Sequence, residues 1–370
     1  MFYDYLLIGQ GLAGSTLAMQ LLQTGKKVLV LDNQYPKSSS RVAAGLFNAI
    51  TGHRFVKTWK ADVLFPYFFN FYREMEKVLE AKFFYDLPMY RPFENIEKQN
   101  LHIAESSNLA YEGYVDRTLD SSIFDKTVFN DFGGITITKT GFLHTVDYLE
   151  AVKKYLLKNN AFIETEFIEN QVVIEKDKIS YPITQDGITQ NICAEKIIFC
   201  RGWQDSTSIL WNFLPFNLVK GEVLHVIFAD TNYQNIINRG CWILPMPNKV
   251  QTDEFAQAKL HKVGATYTWD KLDENPSEEA RKELCEKLEK LSRLPYKIIK
   301  QVAGIRPATT DRKPLIGQHP IHQQVYIFNG FGAKGTSLIP YFAGHFAEVL
   351  AGKVELDKEI DILRKYHKKK

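Results

Sequence analysis

The hydrophobic positions along the chain change period several times, and each change marks an element. Residues 5–8 form a short apolar run that predicts a strand. Ala13, Leu17 and Leu21 then recur at helical spacing, predicting a helix over 13–23 that Gly25 ends as its C′ residue. Residues 28–31 are apolar without a break, as in a strand buried on both faces. The chain therefore opens β-α-β. Helical periodicity returns over 59–81, with an interruption expected at Pro66, and over 145–158, where Val146, Leu149, Val152 and Leu156 share a side. Residues 196–200 and 325–329 read as buried strands, and 337–351 as a closing helix. Residues 218–228 and 260–267 read as strands of a different, more antiparallel sheet. An amphipathic helix over 276–291 follows, with Pro276 at its start and Leu284, Leu288 and Leu291 inside.

Nucleotide-type elements thus stand at the start, middle and end, with other material between them. The expected class is α/β, α+β overall. A Rossmann-like domain is expected from segments 1–58, 140–215 and 301–370, and an inserted antiparallel-sheet substrate domain from 59–139 and 216–300. A length of 370 residues suits two or three domains. With 45% hydrophobic and 24% charged residues, the composition excludes a disordered chain or a coiled coil. A formal net charge of +3 is too small to make nucleic acid the main partner. Cys193, Cys200, Cys241 and Cys285 form no C-x-x-C pair, so neither a disulfide framework nor a metal centre is expected, and a cytoplasmic location is. Met1 to Asp4 lead into the first strand without the basic flank of a secretory signal. No apolar run spans a bilayer; the greasiest window, 63–72, is broken by Pro66 and Asn70, and its aromatic residues read as core or pocket wall. The basic tail, 364–370, reads as a frayed, solvated terminus, with weak anchoring to RNA or an acidic surface as the other reading.

The strongest chemical signal is Gly9-Gln10-Gly11-Leu12-Ala13-Gly14, set between the first strand and helix, with Asp32 and Asn33 ending the second strand. That is the context a dinucleotide fingerprint requires. Gly9 permits the turn, Gly11 lets the backbone approach a pyrophosphate, and Gly14 lets helix and strand touch. The helix start offers free N–H groups to phosphate, and Asp32 is placed for a ribose hydroxyl. The fingerprint alone leaves NAD and FAD both open.

Six further segments resemble the FAD-dependent D-amino-acid oxidase / glycine oxidase / sarcosine oxidase superfamily, in the right order and over nearly the whole chain. Ser38–Leu46 is similar to the loop that runs past the flavin, which implies contacts from Ser40, Arg41, Ala44, Gly45 and Leu46. Residues 161–168 resemble the strand that meets adenine through its backbone, here near Ile168. Residues 197–203 resemble a strand ending beside the cofactor at Gly202 and Trp203; Arg201 and Trp203 read equally well as packing. Residues 219–223 resemble the strand that enters the substrate domain. Residues 303–317 resemble the glycine oxidase pattern Gly-x-Arg-Pro followed by Thr, Asp, Pro and Gly, implying that Arg306 binds a substrate carboxylate and touches the cofactor site. Residues 329–337 resemble the turn at the flavin pyrimidine, implying contacts from Gly330, Gly332, Lys334, Gly335, Thr336 and Ser337. Lys334 stands where sarcosine-oxidase-like members carry a carboxylate-binding lysine. Relatives with covalent flavin use a cysteine in the region matching 306–317; none lies there, so FAD is expected to be non-covalent. Trp242 stands where glycine oxidase has a pocket tyrosine, which argues against copying glycine as the substrate.

The resemblance implies an enzyme that oxidises a C–N bond of an amino acid or secondary amine by hydride transfer to flavin N5, with Arg306, Lys334 and Trp242 as the substrate-side residues. Specificity is expected to depend further on Tyr267, Trp269 and Arg54. A FAD-dependent 2-hydroxy-acid dehydrogenase is the alternative; it calls for a base, and His53, His144, His225, His261, His319 and His322 are the candidates. A flavin-dependent tRNA-modification role, compatible with the basic tail, and a non-enzymatic flavoprotein also stay open. The partner is expected to be a small molecule with a carboxylate, with no membrane; nothing in the sequence sets the oligomeric state.

Overall fold

The computed structural model describes residues 2–52, 54–116, 121–185, 187–228, 233–250 and 258–366. Two eight-stranded sheets organise these residues. The first is built on five parallel strands in the spatial order Phe162–Glu164, Val28–Asp32, Phe2–Ile8, Ile188–Phe199, Val325–Asn329. In chain order that is 3-2-1-4-5, with the reversal between Phe2–Ile8 and Ile188–Phe199. A doubly wound sheet opens its ligand crevice at that reversal. Leu6, Leu7, Leu29, Val30, Leu31, Ile197 and Ile198 are almost wholly buried, which explains why these strands read as unbroken apolar runs. Leu7, Val30 and Ile198 face the helices Leu12–Gln23, Thr145–Lys158 and Gly335–Leu350. Leu6, Leu29 and Ile197 face the opposite way, towards Trp211 and the Ile179–Gln185 strand, which pairs with the first half of Ile188–Phe199.

The second sheet runs Tyr296–Arg306, Val219–Phe228, Ala258–Gly264, Cys241–Val250, Ile236–Arg239, Met89–Pro92, Gly134–Ile137, Val115–Asp116. It is antiparallel except where Ile236–Arg239 meets Met89–Pro92. Leu224, Val226, Ile243 and Val263 on one face pack against Leu284, Leu288 and Leu291. That helix spans Glu278–Glu289, and the Ser277 side chain caps it by accepting from the Ala280 N–H. Pro276 therefore lies outside the helix rather than at its first position, because Ser277 supplies the better cap. Tyr296–Arg306 stays in this sheet along its whole length.

Two prolines sit inside helices without breaking them. Ala61–Val78 is continuous through Pro66, contrary to the interruption expected there. The lost bond is only the one to Asp62 in the first turn, whereas Phe65, Phe68, Phe71, Tyr72 and Met75 are buried along one side. Each such side chain is worth roughly 1.5–3 kcal/mol, so together they outweigh a penalty of about 3 kcal/mol. These aromatic residues are core, not cavity wall. The helix packs on Gly335–Leu350, beside the first sheet rather than the second. Pro340 frees the carbonyl of Thr336, four residues back, and the Tyr72 hydroxyl donates to it at 3.0 Å. The tail begins tied down rather than frayed. Leu363–Tyr366 is a helical turn, and Arg364 pairs with Asp311 and donates to the Lys313 and Pro314 carbonyls. Residues 367–370 of that basic tail lie outside the described residues. Among the described residues no helix is long and apolar enough to cross a membrane.

Lys262 on the second sheet is buried against the Ala43 loop and donates to the Ala43 carbonyl at 3.1 Å. Burial pushes its ammonium down to about 8, against the opposing charge of Asp147. Between that pH and the ordinary lysine range near 10.4, the unfolded chain binds a proton that the folded chain has lost, so stability rises with pH across the window. Lys262→Met is expected to be about 2–3 kcal/mol more stable than the parent near neutrality, with the gap closing as pH approaches 10. Urea melts of both proteins between pH 7 and 10 check this; a gap that does not depend on pH would assign the effect to packing instead.

Candidate functional site

A cavity of about 1660 Å³ opens at the reversal of the first sheet and runs across to the second. Its floor is the fingerprint turn. Gly9 has a φ of +104°, and a Cβ there would stand 2.7 Å from the Cys200 carbonyl oxygen. A Cβ on Gly14 would stand 1.8 Å from the Gly9 oxygen. Gly14 therefore sits behind the turn as the point of helix–strand contact, while Gly9, Gly11, Leu12 and Ala13 line the cavity. Gly11 begins the helix in an extended conformation, and the Leu12 N–H donates to Ser40 Oγ at 3.0 Å.

Asp32 and Asn33 line one end of the cavity. The Asp32 carboxylate is aimed by the Gln10 N–H at 2.6 Å and by the Gln34 N–H and amide. Gln10 is fixed in turn by Ser15 and the Leu149 carbonyl. Ile168 lines the same end, but both of its backbone groups are engaged within the protein. Its N–H donates to the Tyr181 hydroxyl and its carbonyl accepts from Gln171. The segment 165–170 is thus wall at this end, with the backbone groups expected to face adenine turned inward.

Ser40, Arg41, Ala44, Gly45 and Leu46 form the adjoining wall. Arg41 is held by Glu150 at 2.7 Å and Gln34 at 2.8 Å. Gly202 and Trp203 stand opposite. Arg201, left open between cofactor contact and packing, is engaged by Asp205 at 2.7 Å and Glu169 at 2.8 Å. Burial raises the Asp205 carboxyl pKa against those bonds. Trp203 Nε1 donates to Glu274 at 3.1 Å, and the Tyr35 hydroxyl donates to the other oxygen of the same carboxylate. Glu274, on a loop that leaves the second sheet, thereby joins two rims of the cavity. Nothing in the periodicity singled out Glu274 or Tyr35, since a loop carboxylate and an exposed tyrosine carry no pattern.

At the other end, Gly332, Lys334, Gly335, Thr336 and Ser337 line the cavity. Gly330 does not. It makes the turn behind them, where a Cβ would stand 2.9 Å from the Leu315 nitrogen. The closing helix begins at Gly335, two residues before its apolar pattern does, so its first N–H groups lie in the cavity wall. Burial and the Arg312 charge push the Lys334 ammonium down.

Arg306 and Trp242 reach the cavity from the second sheet, each lying over a glycine. A Cβ on Gly221 would stand 2.0 Å from Arg306 Nη2, and one on Gly264 would stand 2.7 Å from Trp242 Cζ2. Arg306 Nη1 donates to the Thr266 and Lys220 carbonyls at 3.2 and 3.4 Å, and the guanidinium lies 4.5 Å from the centre of the Tyr267 ring. Among the described residues it has no carboxylate partner. Tyr267 lines the cavity, but Trp269 stacks on its far side and Arg54 is exposed elsewhere. Of the candidate bases, His144, His225, His261, His319 and His322 all lie outside the wall, and burial holds His225 and His261 down at about 4. His53 lies outside the described residues. His102, unmarked by any sequence signal, does line the cavity and stacks on Phe55. No three His, Cys, Asp or Glu residues among those described cluster as metal ligands.

This arrangement has counterparts among known proteins. The family model for FAD dependent oxidoreductase matches residues 4–349. The chain is 24% identical to a glycine oxidase of Bacillus licheniformis, over 95% of this chain and 93% of that one. The glycine oxidase structure from Geobacillus kaustophilus superposes with a TM-score of 0.77 at 17% identity, covering 96% of each chain. An iminodiacetate oxidase from Chelativorans sp. BNC1 gives a TM-score of 0.73 at 18% identity, covering 96% of this chain and 97% of that one. With nearly its whole length matched, and with a fingerprint turn, a doubly wound sheet and a second sheet facing one cavity, the chain belongs to the FAD-dependent oxidoreductase family.

Proposed function

We propose that the protein oxidises a C–N bond of a carboxylate-bearing amino acid or secondary amine, with non-covalent FAD as the electron acceptor. The observation that carries this reading is Arg306. A guanidinium lines the cavity with no acidic partner among the described residues, and a ring and two carbonyls fix its plane. A planar cation held that way suits a carboxylate accepted in a fork.

The residues fit FAD. Two helix starts, at Leu12 and Gly335, line one cavity; the Leu12 N–H is taken by Ser40, but the next N–H groups of that turn, those of the Gly335 start and two positive dipole ends are available to a diphosphate and an anionic ring. Gly9, Gly11, Leu12, Ala13 and Ser40 would hold the phosphates, and Asp32 and Asn33 the ribose. Ala44, Gly45, Leu46, Gly202, Trp203 and the 332–337 turn would flank the ring. Cys200 is the one cysteine in the wall among the described residues, and burial pushes its thiol well above the usual range. A suppressed thiolate disfavours a covalent link.

FAD supplies the two-electron acceptor. Arg306 would bind the substrate carboxylate, with Lys334 adding a second positive charge and Trp242 a flat wall that excludes water. A neutral amine carries its own lone pair and needs no strong base. A hydroxy acid needs one; among the described histidines only His102 lines the wall, where it stacks on Phe55.

Precipitation of the yellow protein with acid is expected to leave its colour in the supernatant. In anaerobic reduction, amino acids or N-alkyl amino acids should bleach the flavin bands, while hydroxy acids should not; bleaching by hydroxy acids alone would select the other chemistry. Gly221→Ala should push Arg306 aside and weaken carboxylate binding by about tenfold or more, as Arg306→Met does, without loss of FAD. Because Lys334 titrates below the ordinary lysine range, ligand affinity should fall as pH rises towards that range, and Lys334→Met should flatten the fall.

A further inference from the structure

Six of the described arginines are partly buried, and four of them have accounted-for charges. Arg41 pairs with Glu150, Arg201 with Glu169 and Asp205, and Arg364 with Asp311. Arg239 donates to the carbonyls of Phe93, Phe129 and Lys290 and feels the charges of Glu94 and Asp131. The remaining two are Arg306 and Arg91, and both line the cavity. Arg91 spends one donor on the Gly52 carbonyl at 2.6 Å and lies 5.6 Å from the Phe55 ring. It has no carboxylate partner among the described residues, and burial alone pushes its pKa down to about 10. A guanidinium has five N–H donors, so four remain. A half-buried cation without a counter-charge is costly, and a ligand anion there recovers that cost.

The sheet places Arg91 in line with the proposed reaction centre. Val223 pairs with Gly264, Gly264 with Trp242, and Trp242 with Asn238, so all four share one face. The parallel register Ile237–Tyr90, carried on by one residue, sets Arg91 beside Asn238. Trp242, Asn238 and Arg91 all line the cavity.

We propose that Arg91 is a second anion-binding subsite and that the substrate is an elongated amine with an acidic group at each end, one for Arg306 and one for Arg91. This rests on the reading of Arg306 given above. The guanidinium of Arg306 lies over Gly221, and the strand of Gly221 is four places from that of Arg91. At about 4.8 Å per place the two backbones are about 19 Å apart. Glycine or any short amino acid leaves that gap open, whereas a long side chain or N-substituent ending in a carboxylate enters it.

The test is a titration of the FAD-loaded protein with unreactive acids, followed by the shift in its visible flavin bands. Straight-chain monocarboxylates are compared with dicarboxylates of the same length, from four to ten carbons. The long dicarboxylates are expected to bind about tenfold tighter or more than their monocarboxylate partners, with no such gain for the shortest pair. Arg91→Met should bring the ratio close to one, and Arg91→Lys, which keeps the charge and a donor for Gly52, should restore part of it. Equal binding of both series, or a ratio unmoved in Arg91→Met, overturns the subsite while leaving Arg306 intact. If Arg306→Met binds monocarboxylates as well as the parent does, the Arg306 reading fails, and the two-ended substrate with it.

Discussion

The close approach of backbone to backbone at the end of the central strands governs everything else in the molecule. With no side chain on Gly9 or Gly14, the first helix starts against the strand end, and the neighbouring strand passes within contact at Cys200. This sets the helix start at the reversal of the sheet, where no crossing helix covers the strand ends. A methyl group at Gly14 would overlap the Gly9 carbonyl outright, so helix and sheet would have to separate. The positions of Asp32, Ser40 and the Ala43 loop are all referred to that turn, through Gln10 and Leu12.

The second sheet uses the same device for a different end. Gly221 and Gly264 leave open surface on its cavity face, and Arg306 and Trp242 lie down into that space. A long side chain is thereby held flat by strands rather than by a loop, which limits its freedom without using a counter-ion. Placement on rigid strands is what a recognition residue requires. Glu274 adds a link of another kind, tying a loop of this sheet to Tyr35 and Trp203 on the cofactor side.

Much of this was legible in the chain. The strands of the opening and 325–329 follow from buried runs that hold few polar positions, and the 145–158 helix from the helical spacing of its one buried side. The fingerprint was legible because a glycine is required wherever two backbones touch. The Pro66 break failed because local geometry was weighed without the aromatic side that overrides it. Gly330 was assigned to the site because it belongs to the 329–337 stretch that resembles the flavin turn, whereas its φ of +80° serves the turn behind the wall. Arg91, Lys262 and Glu274 left no trace, since only pairing across distant strands and loops brings them to the cavity or its edge.

The cavity wall carries both signs, with Asp32, Glu94 and Asp131 among its acids, but some of its cations stand unpaired among the described residues. Arg306 and Arg91 lack acids among the described residues, Lys334 is depressed by its surroundings, and Lys262 lies buried just behind the Ala43 loop. Two helix starts add their partial positive charge. Gathering cations in a space of low dielectric is unfavourable for a protein by itself. It becomes favourable once anions fill the space, so such a site carries part of its recognition as unspent electrostatic strain. An anionic dinucleotide would relieve the share near Leu12 and Gly335, but Arg306 and Arg91 project from the other sheet, and on the proposed function relief there would be left to the substrate. Under the proposed function the cavity would select for charge twice, and the second selection would separate an acidic amine from a neutral one of the same shape.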